Sequence, residues 1–172
     1  WGGVLPDMLD CGRLRWPQPS AVVKAVDAKE AEKMTGVRAV MTGASKDADI
    51  LWPWSPDVKT RLFDPQCRFE GEVVAAVAAE TPYQAWDAVR AIRVHYEVLP
   101  FVQDERTALN TNSAKVHREG NKVKTDRYER GDVARGFAEA DVVLEQTYRN
   151  ESEVHTPMEL HGCVAKWDND SL

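Results

Sequence analysis

Val73-Val74-Ala75-Ala76-Val77-Ala78-Ala79 is an unbroken run of small apolar residues, entered through Gly71. A run this short and this apolar reads as a strand buried on both faces, with Ala76 in a tight core. Thr81-Pro82-Tyr83-Gln84 then supplies a hydroxyl cap, a proline at the first helical position and a glutamine three residues past the cap, the signals of a helix start. Ala85, Ala88, Val89 and Ile92 fall at i, i+3, i+4 and i+7, so the helix over 82–92 presents one apolar face. Residues 93–99 alternate as a strand and stop at Pro100. The order over 73–99 is therefore β-α-β.

Working toward the N-terminus, residues 11–16 and 21–26 read as strands flanking the corner made by Pro17 and Pro19, residues that cannot lie inside a central strand. Asp27 offers a helix cap with Glu30 three residues on, Ala31 and Met34 give the following turn an apolar side, and Gly36 ends it. Residues 37–41 are the next strand. Over 42–56 the prolines of Trp52-Pro53-Trp54-Ser55-Pro56 predict a loop, and its indoles need a surface to cover them.

Toward the C-terminus, residues 104–130 are polar and charged with few apolar positions, which reads as loop with at most a turn of helix near 107–109. Asp132 can cap a further helix carrying Val133, Phe137 and Ala140. Residues 142–149 and 162–167 alternate as strands, the latter running into a hairpin turn at Asn169-Asp170.

Bulk properties exclude several function classes. The chain has 172 residues, 43% of them hydrophobic, and a net charge of -6 from 22 basic and 28 acidic side chains. It has no basic run long enough to follow phosphates, so neither nucleic acid nor an anionic membrane is expected as a partner. No apolar stretch approaches the roughly 20 residues of a membrane helix, and no signal-peptide pattern is visible. The expected location is cytoplasmic. Cys11, Cys67 and Cys163 are widely spaced, which argues against a disulfide framework and against a zinc or iron–sulfur site. No metal site and no catalytic residue is expected from such motifs, because GxSxG, P-loop, HExxH and GxGxxG patterns are all missing. His95 and His117 read as structural or surface histidines.

The densest polar constellation is Glu153-Val154-His155-Thr156-Pro157-Met158-Glu159-Leu160-His161-Gly162. Glu159 and His161 have strand spacing i, i+2, which would place a carboxylate and an imidazole on one face, a pairing suited to acid–base work. A hydrogen-bonded pair at a domain junction would look the same.

Several of these segments, in order, resemble the large subunit of the molybdenum hydroxylases, the xanthine dehydrogenase and aldehyde oxidase family. Leu5-Pro6-Asp7-Met8-Leu9 and Gly12-Arg13-Leu14-Arg15 are similar to the family's first stretch, and Thr35-Gly36-Val37-Arg38-Ala39-Val40-Met41-Thr42 resembles its first helix end and strand. The run from Phe69 to Glu80 resembles the "VGQPVAAVVAE" strand, and Val94-His95-Tyr96-Glu97-Val98-Leu99-Pro100 the "V-x-Y-E-x-L-P" strand. Downstream, Arg130-Gly131-Asp132-Val133 with Phe137 to Asp141 resembles "RGDVEAAFAEAD", and Pro157-Met158-Glu159 with His161-Gly162 resembles "PMEPHG". Where relatives carry Ser-Pro-His-Ala, this chain reads Trp16-Pro17-Gln18-Pro19-Ser20-Ala21.

The resemblance implies an α+β fold: an a/b hammerhead over residues 1–105, with a mixed sheet, a β-α-β unit and packed short helices. It also implies a linker over 106–130 and the truncated start of the molybdopterin-binding domain over 131–172. The complete protein would hydroxylate an aldehyde or an N-heterocycle such as xanthine, with water as oxygen source and electrons passing to iron–sulfur clusters and then to FAD or another acceptor. The implied partners are the rest of the same subunit and an iron–sulfur subunit or domain. Glu159, His161 and Gly162 would lie near the molybdenum site in the full subunit, and the fragment itself would hold no cofactor and serve as scaffold and interface. A different reading is a free-standing α+β binding module in which Trp52, Trp54 and Phe63 form an aromatic recognition patch.

Overall fold

In the computed structural model the described residues are 4–55, 58–122, 126–151, 153–159 and 161–172, without the side chains of 53–55 and 58. Residues 4–122 form one compact unit and residues 126–172 belong to a second.

The first unit runs β1 (Asp10–Arg15), β2 (Ala21–Asp27), α1 (Lys29–Glu32), β3 (Val37–Thr42), a 3-10 turn (Lys46–Ala48), β4 (Leu51–Ser55), β5 (Val58–Arg61), β6 (Gln66–Cys67), β7 (Val73–Ala79), α2 (Pro82–Ala91) and β8 (Arg93–Val98). The strands form two three-stranded sheets, ordered β1-β7-β3 and β6-β2-β8, and a separate β4-β5 hairpin.

Every ladder among the described residues is antiparallel. The α+β class stands, and the mixed sheet does not. Strands β7 and β8 flank α2 in the chain as expected, but each joins a different sheet. The short link between α2 and β8 sends the chain away from β7, so the β-α-β order is not a parallel crossover unit.

Strand β7 is central because its side chains are small. Ala75, Val77 and Ala79 close one face completely, and Val74 is buried on the other, while Ala76 and Ala78 are only half-buried. The strand is thus shut on one face and partly open on the other, less enclosed than its composition predicts. The closed face meets α1 and α2 in a core of Ala28, Ala31, Ala75, Val77, Ala88, Val89 and Ile92. Helix α2 turns in the predicted residues, and Thr81 Oγ1 accepts the Gln84 N–H at 3.3 Å. A cap of this kind contributes about 1 kcal/mol. Gly12 lets α2 lie close on β1, since a Cβ there would sit 2.9 Å from Val89 Cγ2 and 3.1 Å from the Ala85 carbonyl oxygen.

A second core joins the two sheets. Trp16, Ala21, Cys67 and Val74 are buried together, with Val23, Val26, Val94 and Tyr96 against them. Residues 64–72 clasp this cluster. Val23 N–H donates to Pro65 O (2.7 Å), Trp16 N–H to Glu72 O (2.8 Å) and Gly71 N–H to Trp16 O (2.8 Å). Arg68 Nη1 bonds Asp64 Oδ2 at 2.8 Å and Gln66 O at 3.0 Å.

Two local expectations are corrected by the structure. Asp27 is not the cap of α1: Ala28 is, while Asp27 Oδ1 accepts the Lys29 N–H at 3.2 Å. Glu30 does not turn back to close a capping box but reaches forward to Lys33 Nζ at 3.3 Å. Gly36 does end the turn, at φ +82°. The second correction is in 42–56, read as loop, where β4 pairs with β5 through Trp52↔Thr60 and Pro53↔Lys59. A two-stranded hairpin has only edge strands, and an edge accepts a residue without an N–H.

Past Pro100 the chain continues in turns, with no helix over 107–109. The turns have a centre that composition does not reveal. Asn121 Oδ1 accepts the Val116 N–H at 2.7 Å, and its Nδ2 donates to the carbonyls of Ala108 and Ala114, both at 2.8 Å.

In the second unit α3 (Val133–Glu139) forms as predicted, with Asp132 accepting the Arg135 N–H at 2.9 Å. The expected strands over 142–149 and 162–167 are absent. A strand is defined by its partner, and among the described residues no segment pairs with either. The turn at Asn169-Asp170 does form, with Asp168 and Ser171 exchanging bonds of 2.8 and 3.1 Å.

Candidate functional site

The polar segment singled out in the sequence is open. Glu153, His155, Glu159, His161 and Gly162 are all exposed, and residues 158–159 form a bend rather than a strand. The shared face expected of Glu159 and His161 depends on a strand through Leu160, which lies outside the described residues. A Cβ built on Gly162 meets nothing within 4 Å.

A cofactor site needs a concave wall of converging groups. Every described residue of 126–172 is exposed, and among the described residues no group of three or more His, Cys, Asp or Glu side chains converges on a point that could hold a metal. The described residues of 126–172 therefore do not by themselves enclose a molybdenum cofactor.

The ionisable groups perturbed by burial lie elsewhere, around the clasp. Burial, reinforced by the nearby Glu72 and Asp64 carboxylates, pushes the Cys67 thiol up to about 11. Burial also raises the Tyr96 hydroxyl to about 12, helped by Cys67. Glu72 is raised too, by burial, against the opposing pull of the Arg68 backbone N–H and guanidinium. A thiol held protonated is a poor nucleophile and a poor metal ligand. Cys67 and Tyr96 are part of the packed second core. No motif announced these perturbed groups, because they come from β6, from the loop just before β7 and from β8, and meet only through the fold.

Of the aromatic patch expected of a binding module, two members are described and they differ in exposure. Phe63 is buried, Trp52 is exposed, and the side chain of Trp54 lies outside the described residues. Ile50 and Leu51 extend the exposed apolar strip beside Trp52.

Comparison with known proteins places this architecture. A family model described as aldehyde oxidase and xanthine dehydrogenase, a/b hammerhead domain, matches residues 5–100. A second, described as molybdopterin cofactor-binding domain, matches residues 116–172. The chain belongs to the aldehyde oxidase and xanthine dehydrogenase family.

Among curated relatives, a probable xanthine dehydrogenase subunit of Bacillus subtilis is 37% identical over 168 residues, covering 96% of this chain and 22% of that protein. The nicotinate dehydrogenase large molybdopterin subunit of Eubacterium barkeri is 30% identical, covering 97% of this chain and 39% of that protein. The chain thus spans between about a fifth and two-fifths of the length of these relatives. Among solved structures, the aldehyde oxidoreductase of Desulfovibrio desulfuricans is similar with a TM-score of 0.67 at 25% identity, over 80% of this chain and 16% of that one. The order expected from the sequence, a hammerhead followed by molybdopterin-binding sequence, is the order of the two family matches. No helix among the described residues is long and apolar enough to cross a membrane.

Proposed function

We propose that this chain is the N-terminal part of the molybdenum-cofactor-binding subunit of an oxidoreductase that hydroxylates aldehydes or N-heterocycles such as xanthine. One observation carries the reading: the hammerhead and cofactor-domain matches follow one another over 5–100 and 116–172 of a single chain. The oxygen comes from water, and the electrons pass to iron–sulfur clusters and onward to FAD or another acceptor. The cofactor supplies the bond-making chemistry, and protein supplies position and electrostatics.

In this reading residues 1–105 are the hammerhead, 106–130 the linker and 131–172 the start of the cofactor-binding domain. The segment acts as scaffold and interface. The exposed apolar residues Ile50, Leu51 and Trp52 of the hairpin region, and Val142, Leu144 and Tyr148 beyond α3, support burial against further polypeptide: the rest of the subunit and an iron–sulfur subunit or domain. Glu159, His161 and Gly162 then border the molybdenum site from one side, closed by residues of the remaining subunit. The location is the cytoplasm.

Metal analysis of the native full-length protein tests the proposal. About one molybdenum per subunit, with dye-linked oxidation of an aldehyde or a purine, is the expected result, and a metal-free native protein overturns it. The 172-residue chain alone is expected to bind no molybdenum and to show no turnover.

A further inference from the structure

We draw no further inference here: the strongest candidate, the outer face of α2, where Tyr83 and Trp86 stand exposed beside the Asp87–Arg90 ion pair, carries nothing because no feature of the structure shows what covers it.

Discussion

The ring of Trp16 lies 3.8 Å, centroid to centroid, from that of Tyr96, tilted by 43°. Trp16 directly follows β1 of one sheet and Tyr96 sits in β8 of the other, so this pair ties the two sheets together. Trp16 is 3% exposed. Truncating a buried tryptophan removes both its transfer energy and its packing, typically about 3–5 kcal/mol. Trp16→Ala is therefore expected to unfold the chain or lower its Tm steeply, while Trp52→Ala, at an exposed position, changes stability by less than about 0.5 kcal/mol. Equal melting of the two variants would show that the second core does not hold the sheets together.

Thiol chemistry checks the clasp. Cys11 and Cys163 are exposed and Cys67 is buried. With a thiol-reactive dye at mildly alkaline pH, two groups should react at once and the third only as the fold opens. Three thiols reacting at one rate would place Cys67 at the surface.

The same group sets an alkaline limit. Its acidity in the fold, about 11, lies above its ordinary value of 9.0, so the folded state holds a proton that the unfolded chain has lost. That contribution is complete below about pH 9 and disappears as the pH rises through 11. Tyr96 acts in the same direction at higher pH. Denaturant titrations from pH 7 to 11 should show stability falling, and Cys67→Ala should flatten the fall relative to its own neutral-pH value. An unchanged slope would remove Cys67 as the cause.

Core position decides the cost along β7. Val77→Asp puts an unpaired charge on the closed face and is expected to prevent folding, whereas Ala76→Asp, on the half-buried face, is expected to fold with reduced stability. Far-UV circular dichroism and thermal melts separate the two, and the reverse order would mean that the faces are assigned the wrong way round.

Limited proteolysis checks the connection between the units. Asn121 pins three backbone groups of the preceding turns, so trypsin should cut at the exposed Lys122, Arg127 or Arg130 before it cuts at Lys115 or Arg118. Losing the amide leaves these groups without partners, at a cost of about 1–3 kcal/mol. In Asn121→Ala the cuts at Lys115 and Arg118 should become early ones. Unchanged cleavage order in the variant would show that the turns are held by something else.

What could be read directly from the sequence was local. Thr81 and Asp132 announce their helices because a cap acts on an N–H three residues away, within any short window. Asp27 misled because the same side chain can serve a nearer N–H, that of Lys29. The partners of β7 lie far off in the chain, on β1 and β3, and no spacing within 73–99 reveals that β7 and β8 part company. The alternation of 142–149 was real, but alternation records a strand's preference and not the presence of a neighbour. Glu159 and His161 were legible only as a motif, because the shared face implied by their spacing depends on Leu160, outside the described residues, and on walls that no short window contains.

The strand order has a consequence for the nascent chain. Among the described residues, strands β1 and β3 each pair only with β7, and β6 and β8 each only with β2, so neither sheet can close until its later members leave the ribosome. At roughly 5–20 residues per second, β1 waits several seconds for β7, with Leu14 and Trp16 uncovered meanwhile. Slowing translation between β3 and β7 should therefore prolong chaperone occupancy of the emerging N-terminus, while the same pause placed after β8 should not.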